Sequence, residues 1–306
     1  MKVAITGATG FVGSRLVERL QKQGTKILVL TRDTERARKL FPSLAYPDVE
    51  ITAYTPTVSG SWQNEITSTE AIVNLAGAPI SEGRWTTERK REILNSRKLT
   101  TQKIVEAVTK SRTKPKVLVN ASAVGYYGTS ETAAFDENSP CGSDFLAQVC
   151  QDWEAEAEKV RDSNVRLVIL RFGIVLGMGG ALGKMITPFK LFAGGPIGSG
   201  EQWFSWIHVD DIVSLILQSL TKSEMSGVYN ATAPHPVRMA ELSTTMGEVM
   251  NRPSWLPVPA FAIEAMLGDG AVVVLEGQKV SPQRTLESGF KYQYSDLKPA
   301  LKEILK

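Results

Sequence analysis

The sequence predicts an α/β fold: a Rossmann-type doubly wound parallel sheet with a smaller C-terminal α/β lobe. Three observations predict it. Short apolar runs alternate with helical patterns through the first 175 residues, a glycine-rich turn follows the first run, and the alternation stops after Arg171. Strands that alternate with helices of crossover length build parallel sheets, because a parallel neighbour is reached only through a long connection.

Six apolar runs in this region have the length of buried strands. They are residues 2–6, 26–30, 49–54, 71–74, 117–120 and 166–171. Helical periodicity appears between them, starting with Phe11, Val12, Leu16, Val17 and Leu20, and again over 88–110 and 145–161. Right-handed crossovers through such helices place the strands in one sheet with helices on both faces.

The chain after Arg171 has a different character. Residues 177–200 are rich in glycine, 206–211 leads into an apolar helix, and 228–231 has the pattern of a strand that returns to the sheet. We predict a dinucleotide-binding domain over 1–175, with 205–232 returning to it. The predicted C-terminal substrate lobe comprises 176–204 and 233–306.

Composition excludes several classes of function. Thirty-five basic and 32 acidic residues give a net charge of +3, too small a bias to indicate nucleic acid or an anionic membrane as partner. Two cysteines and two histidines provide neither a disulfide framework nor metal-ligand spacing. Because no apolar stretch reaches the roughly 18 residues of a membrane span, we expect a cytoplasmic protein. The expected partner is a small-molecule substrate, and the oligomeric state, monomer or homodimer, stays open.

The glycine-rich turn has the position and spacing of a dinucleotide-binding motif. Gly7 permits a tight turn, Gly10 lets the backbone approach a pyrophosphate, and Gly13 allows close packing of helix on strand. The helix that follows offers free N–H groups and the positive end of its dipole to phosphates. We expect the cofactor contacts of this segment to come from Gly7, Thr9, Gly10, Phe11, Val12 and Gly13.

The end of the second strand bears on the choice between NAD and NADP. NAD-binding domains usually place an acidic residue there, which accepts hydrogen bonds from the ribose 2′-OH. This chain has Thr31 and Arg32 instead, and the Arg32 guanidinium suits a 2′-phosphate that a carboxylate would repel. Arg36 lies near enough to help. Asp33, one residue further on, keeps NAD open as the alternative.

Five motifs occur in an order that resembles the extended short-chain dehydrogenases/reductases of the NAD-dependent epimerase/dehydratase family. They are Thr6-Gly-Ala-Thr-Gly-Phe-Val-Gly13, Asn74-Leu-Ala-Gly77, Ser122-Ala-Val-Gly-Tyr-Tyr-Gly128, Leu170-Arg-Phe-Gly173 and Trp206-Ile-His-Val-Asp-Asp211. Further segments, 194–200, 229–234 and 275–286, resemble the SDR39U1-like branch of that family, whose members have a C-terminal domain of unknown function. The resemblance covers essentially the whole chain.

The resemblance implies further cofactor-binding residues and a mode of assembly. Leu75, Ala76 and Gly77 would line the adenine–ribose side, and the segment after 177 would close over a substrate pocket. The nicotinamide would be framed by Ala121, Ser122, Arg171, Phe172 and Gly173. Any homodimer would form through the helices that follow the fourth and fifth strands.

The usual catalytic pair of this superfamily is missing. Its members place Tyr-x-x-x-Lys on the helix after the fifth strand, where the lysine stabilises the tyrosinate for proton exchange. With Glu154 as the anchor of that helix, the tyrosine position falls on Leu146 and the lysine position on Cys150. Residues 136–162 contain no tyrosine, so no shift in register restores the pair.

Weaker candidates remain for the chemistry. Ser122 has the chemistry to bond a substrate carbonyl and is equally explained as a cap of the strand end, and Tyr127 is either a proton donor or a packing residue. For the substrate pocket, the candidates are Arg97 and Lys184 as holders of an anionic group and His208 as a base. Each of these three has a plain alternative, a solvated surface cation or a packed histidine.

Two functional hypotheses follow. The first is an NADP-dependent oxidoreductase or epimerase that acts on a small polar compound without the Tyr–Lys pair. The second is an NADP-binding protein with little or no turnover and a sensing, structural or cell-division-related role. The intact C-terminal lobe favours the first, and the missing pair favours the second.

Overall fold

A computed structural model describes all 306 residues, with thirteen strands and twelve α-helices in chain order. The strands are β1 Lys2–Thr6, β2 Lys26–Thr31, β3 Val49–Ala53, β4 Ala71–Asn74, β5 Val117–Ala123, β6 Ala134–Phe135, β7 Arg166–Phe172, β8 Ile174–Leu176, β9 Trp203–Phe204, β10 Trp206–His208, β11 Gly227–Ala231, β12 Val237–Arg238 and β13 Lys279–Val280. The helices are α1 Phe11–Lys22, α2 Thr34–Leu40, α3 Trp62–Thr67, α4 Thr87–Lys110, α5 Phe145–Glu158, α6 Gly180–Lys190, α7 Val209–Thr221, α8 Met239–Met250, α9 Ala260–Leu267, α10 Val272–Leu275, α11 Gln283–Glu287 and α12 Leu297–Ile304.

Seven strands form one parallel sheet in the order β11-β7-β5-β4-β1-β2-β3. The predicted doubly wound sheet is therefore confirmed, and every predicted strand lies in it with ends that differ by two or three residues at most. The strands β2 and β3 lie on one side of β1, and the later strands β4, β5, β7 and β11 lie on the other side, so the strand order reverses between β1 and β4. In open α/β sheets, ligands bind outside the carboxyl ends of the strands at such a switch point.

Buried polar side chains join the strands at this point. Thr6 Oγ1 donates to Asn74 Oδ1 at 2.7 Å, and Asn74 Nδ2 donates to Asn120 Oδ1 at 2.7 Å and to Thr101 Oγ1 at 2.9 Å. All four residues are fully buried. Because their hydrogen bonds are satisfied within the protein, these groups tie the ends of three strands together without a bound ligand.

Apolar side chains cover both faces of the sheet and fill a separate core in the C-terminal lobe. The helix α1 buries Leu16, Val17 and Leu20 on one face, at the spacing that the sequence predicted. The C-terminal lobe has its own cluster around Trp206, which includes residues of α6, α8 and α12. None of the helices has both the length and the apolar character that crossing a membrane requires.

Candidate functional site

A cavity of about 670 Å³ lies at the carboxyl edge of the sheet, beneath the C-terminal lobe. The glycine turn and the first residues of α1 form one part of its wall. The ends of β5 and β7, the inner face of α5 and the α10 segment form the rest. The predicted cofactor residues that line this cavity are Gly7, Gly10, Phe11, Val12, Gly13, Leu75, Gly77, Ala121, Ser122, Phe172 and Gly173. Thr9 and Ala76 lie in the same two loops without lining it.

The glycines of the first turn are required by the backbone. Gly7 has φ +71°, and a Cβ there would lie 2.7 Å from Leu75 O. At Gly13 a Cβ would lie 2.2 Å from Gly7 O. No side chain caps α1, and its first turn contains no acidic residue. The N–H groups of Phe11, Val12 and Gly13 therefore have no partner within the helix and offer an anion site that opens into the cavity.

The end of β2 leaves two arginines without counter-ions. Arg32 and Arg36 are exposed, and neither side chain forms an ion pair or a hydrogen bond. Asp33 instead caps α2, with Oδ1 accepting from Arg36 N at 2.9 Å. The Asp33 carboxylate, which left NAD as the alternative cofactor in the sequence analysis, thus serves as the N-cap of α2.

The positions of the missing catalytic pair face the cavity. Leu146 and Cys150 both line it from α5, beside Ser122. Burial raises the pKa of the Cys150 thiol to about 12, and the nearby Glu154 acts in the same direction. A thiol of this kind is protonated at neutral pH and is a poor nucleophile. The wall that carries the proton chemistry in other members of the superfamily is therefore apolar here.

Ser122 is a polar residue beside Leu146 and Cys150, and its hydroxyl proton is directed to a buried carboxylate. Its Oγ donates to Glu154 Oε1 at 2.6 Å. Glu154 in turn accepts two hydrogen bonds from Arg171, both at 2.8 Å. Ser122 also lies beside the Cys150 thiol, and its Oγ can accept a hydrogen bond from that thiol or from a ligand hydroxyl.

Two predicted site residues lie in this buried cluster rather than at the cavity. Arg171 is 3 % exposed and its charge is matched by Glu154, so it lies behind the cavity wall, and its predicted contact with a cofactor stays a prediction. Burial opposes its charge, but the bonds to Glu154 outweigh burial and hold the pKa of Arg171 above its usual value. Tyr127 accepts from Arg171 Nη1 at 3.0 Å and donates to Asn230 Oδ1 at 2.7 Å. Burial raises the pKa of Tyr127 to about 12, which favours the packing alternative, and its catalytic role stays a prediction.

Two of the three candidates for the substrate pocket also lie outside the cavity wall. His208 is 1 % exposed, and its Nδ1 accepts from Asp210 N at 3.1 Å, so it caps α7. Its Nε2 lies 3.0 Å from Glu303 Oε2. Lys184 is exposed on α6, and its Nζ donates to Ser81 O at 3.0 Å across the rim. This geometry favours the alternative of a packed, capping histidine, which the sequence alone does not distinguish from a catalytic one.

The third candidate, Arg97 of α4, lines the cavity. Its Nη1 donates to Ile93 O and its Nη2 to Ala78 O, each at 3.0 Å. The guanidinium lies against the backbone of Gly77, where a Cβ would come within 3.0 Å of Arg97 Cζ. No carboxylate pairs with it. Burial lowers the pKa of Arg97 from its usual value, although the side chain remains a cation.

Sequence reasoning missed most of the apolar side of the cavity. These residues come from the loop before α4, from α5 and from α10, and they include Trp85, Phe145, Val149, Val272 and Val273. The three valines at 272–274 form a visible apolar run in the sequence. Nothing in the run indicates that residues so distant along the chain face the same space as α5.

Sequence comparisons match both parts of the chain. Residues 3–232 match the NAD dependent epimerase/dehydratase family, and residues 258–304 match DUF1731, a domain of unknown function. The Epimerase family protein SDR39U1 homolog, chloroplastic, of Arabidopsis thaliana is 52 % identical over 308 residues, covering 100 % of this chain and 87 % of the relative. Human Epimerase family protein SDR39U1 is 39 % identical over 310 residues, covering 100 % of each chain.

Solved structures show the same architecture. Human epimerase family protein SDR39U1 (isoform 2), crystallised with NADPH, has a TM-score of 0.87 and 37 % identity, covering 99 % of each chain. UDP-glucuronic acid 4-epimerase from Bacillus cereus, in complex with UDP-glucuronic acid and NAD, has a TM-score of 0.81 at 16 % identity. That alignment covers 99 % of this chain and 98 % of the epimerase, and it shows the shared fold alone. The chain therefore belongs to the NAD dependent epimerase/dehydratase family, in the branch of the SDR39U1 proteins.

Proposed function

We propose that this protein binds NADPH in the cavity and acts as an oxidoreductase or epimerase on a small molecule. The observation that carries the proposal is the uncapped N-terminus of α1, which opens into the same cavity as Ser122 and Gly173. The free N–H groups of Phe11, Val12 and Gly13 would hold the pyrophosphate. NADPH in the human relative of 37 % identity supports the same choice of cofactor.

Arg32 and Arg36 support NADPH over NADH. Both are exposed cations without counter-ions, Arg32 just after β2 and Arg36 in the first turn of α2. The ribose 2′ position of the cofactor is recognised at this end of the second strand in this fold. A 2′-phosphate would gain charge-assisted hydrogen bonds from them. Because Asp33 Oδ1 already accepts the capping hydrogen bond of α2, Asp33 has less acceptor capacity for a ribose 2′-hydroxyl than a free carboxylate.

The bound cofactor would supply the hydride chemistry. The chain's own contribution at the reacting end is Ser122, whose Oγ can accept a hydrogen bond from a substrate hydroxyl while donating to Glu154. Leu146 and Cys150 line that end of the cavity and would exclude water from it. The Tyr127 hydroxyl is bonded to Arg171 and Asn230 away from the cavity, so it is not placed to exchange a proton with a ligand there.

A second candidate is an NADPH-binding protein with little turnover. Leu146 and Cys150 favour it, because neither can exchange a proton at neutral pH where the superfamily uses tyrosine and lysine. Its role would be sensing, structural or related to cell division. We also propose a cytoplasmic location and a monomer or homodimer, although the plant relative is named chloroplastic.

One experiment separates these candidates. NADPH binding is measured by calorimetry, and NADPH oxidation is followed with aldehydes, ketones and nucleotide sugars, for wild type and Ser122→Ala. Binding together with turnover that Ser122→Ala lowers supports the first proposal. Tight binding without turnover on any compound supports the second, and absence of NADPH binding overturns both.

A further inference from the structure

The first half of α4 carries several cations, and those nearest the cavity differ in whether the protein neutralises them. Arg89 Nη1 lies 2.6 Å from Glu92 Oε2, and Lys90 Nζ lies 2.6 Å from Asp269 Oδ2. Arg97 has only the carbonyl oxygens of Ile93 and Ala78 as acceptors. A partly buried cation that faces a cavity without a counter-ion is able to form a strong pair with an anion that enters.

The space around Arg97 is mainly apolar. Trp85, Ile93, Phe145 and Val149 line it, and the Trp153 ring centroid lies 5.4 Å from Arg97 Cζ. The valines of α10 complete the wall. Such side chains bury the carbon skeleton of a ligand favourably, whereas they offer no partners to a sugar with several hydroxyls.

The polar groups of this wall are mostly engaged. Asp144 Oδ1 accepts from Ala147 N as the cap of α5, and Thr129 Oγ1 donates to Glu276. Ser205 Oγ donates to Gln278 O at 2.8 Å. The Gln278 side chain, which also lines the cavity, forms no hydrogen bond within the protein and could bond a second polar group of the ligand. The carboxylates of Asp144 and Glu276 also line the cavity, but neither forms an ion pair with Arg97. The mainly apolar surface around an unmatched Arg97 is the complement of an amphipathic anion.

We infer that the cavity beyond the cofactor binds an amphipathic carboxylate, with the anion on Arg97 and an apolar body against Trp85, Phe145 and α10. The inference rests on the proposed function, since it assigns a substrate class to the same site. It differs from the nucleotide sugar bound by the Bacillus cereus epimerase of the same fold.

The test uses the full chain saturated with NADP⁺ and calorimetric titration with 3-phenylpropionate, 3-phenylpropionamide and UDP-glucose. The carboxylate and amide have the same apolar body, so their comparison isolates the charge. We expect the carboxylate to bind wild type about tenfold more tightly than the amide, the margin of one charge-assisted hydrogen bond, and UDP-glucose to bind more weakly than both. Arg97→Gln keeps a donor for Ala78 O and should remove the margin.

Lys90→Gln is the matched control, because Lys90 also lines the cavity but is paired with Asp269. It should keep the tenfold margin. The inference is overturned if wild type binds the carboxylate and the amide equally, binds neither, or binds UDP-glucose more tightly. In each of these cases, NADP⁺ binding would still uphold the cofactor proposal. Loss of NADP⁺ affinity in Arg97→Gln also overturns it, by assigning Arg97 to the cofactor. The wild-type comparison stands even when the variant fails to fold.

Discussion

Arg171 and Arg97 are both largely enclosed by the protein, but only Arg171 has a carboxylate partner that matches its charge. Arg171 is bonded twice to Glu154, donates to Tyr127 and lies with Cζ 3.3 Å from the Tyr126 ring centroid. Arg97 faces the cavity and has backbone carbonyls alone as acceptors. An arginine whose charge is matched inside the protein contributes to folding, whereas one that faces an open cavity unmatched is available to a ligand.

The largest expected effect on folding stability comes from removing Glu154, the carboxylate partner of Arg171. Glu154→Ala leaves a buried guanidinium without a counter-ion and Ser122 without its acceptor, so the free energy of unfolding should fall by about 3–5 kcal/mol. Urea denaturation measures it. Glu158→Ala on the same helix breaks an exposed pair with Arg161 and should lower the same quantity by less than about 1 kcal/mol. Equal losses in the two variants would show that the buried pair is not a structural element.

The next effect concerns the hydroxyl at the end of the Arg171 cluster. Tyr127→Phe leaves Asn230 Oδ1 and Arg171 Nη1 without a partner, so the free energy of unfolding should fall by about 1–3 kcal/mol. Tyr126→Phe is the control, because the Tyr126 hydroxyl forms no hydrogen bond in the structure, and it should change stability by less than about 0.5 kcal/mol. NADPH affinity and any turnover should be unchanged in Tyr127→Phe. A loss of turnover with intact stability would return Tyr127 to the catalytic site.

The pH dependence of this hydroxyl has a definite sign. Burial raises the pKa of Tyr127 to about 12, above the value of about 10 expected in the unfolded chain. The neutral phenol therefore stabilises the fold fully below pH of about 10, and that stabilisation is lost as the pH rises toward about 12. The difference in tyrosinate absorbance between wild type and Tyr127→Phe should appear only as the pH approaches about 12. Its appearance near pH 10 in folded protein would contradict the buried position.

The strands were predicted well because each buried parallel strand is a short apolar run, and such runs recur at regular intervals between helical patterns. The glycine turn was predicted for a similar reason, since Gly7 and Gly13 are required by contacts within and beside the first strand and helix. The roles of Arg171, Tyr127 and His208 were not predictable in this way. Their partners Glu154, Asn230 and Glu303 lie between 17 and 103 residues away in the chain, and no local pattern reports such pairings.

The apolar half of the cavity illustrates the same limit. Val149 and Val272 line one space, although they belong to α5 and α10 and no periodicity connects them. The absence of Tyr-x-x-x-Lys was visible in the sequence at Leu146 and Cys150. The structure adds that both positions still face the cavity, so the missing chemistry reflects a changed wall and not a displaced helix.

A smaller effect on folding tests the other side of the comparison. Arg97→Gln removes a charge that no carboxylate matches, so the free energy of unfolding without ligand should change by less than about 1 kcal/mol. The Trp153 contact accounts for the small loss that remains. Urea denaturation beside Glu154→Ala gives the contrast directly. A loss as large as that of Glu154→Ala would make Arg97 a structural residue.

The smallest effect on folding belongs to Arg32, which extends the comparison to a cation exposed at the end of β2. Because Arg32 has no partner, Arg32→Ala should change the free energy of unfolding by less than about 0.5 kcal/mol. Its NADPH dissociation constant should rise about ten- to a hundredfold, the worth of hydrogen bonds to a charged phosphate, with that for NADH unchanged. Arg38→Ala is the control, since Arg38 is equally exposed but paired with Glu35 at 2.7 Å. If the two variants lose NADPH affinity equally, the preference arises from the general positive charge of α2 and not from a specific contact of Arg32.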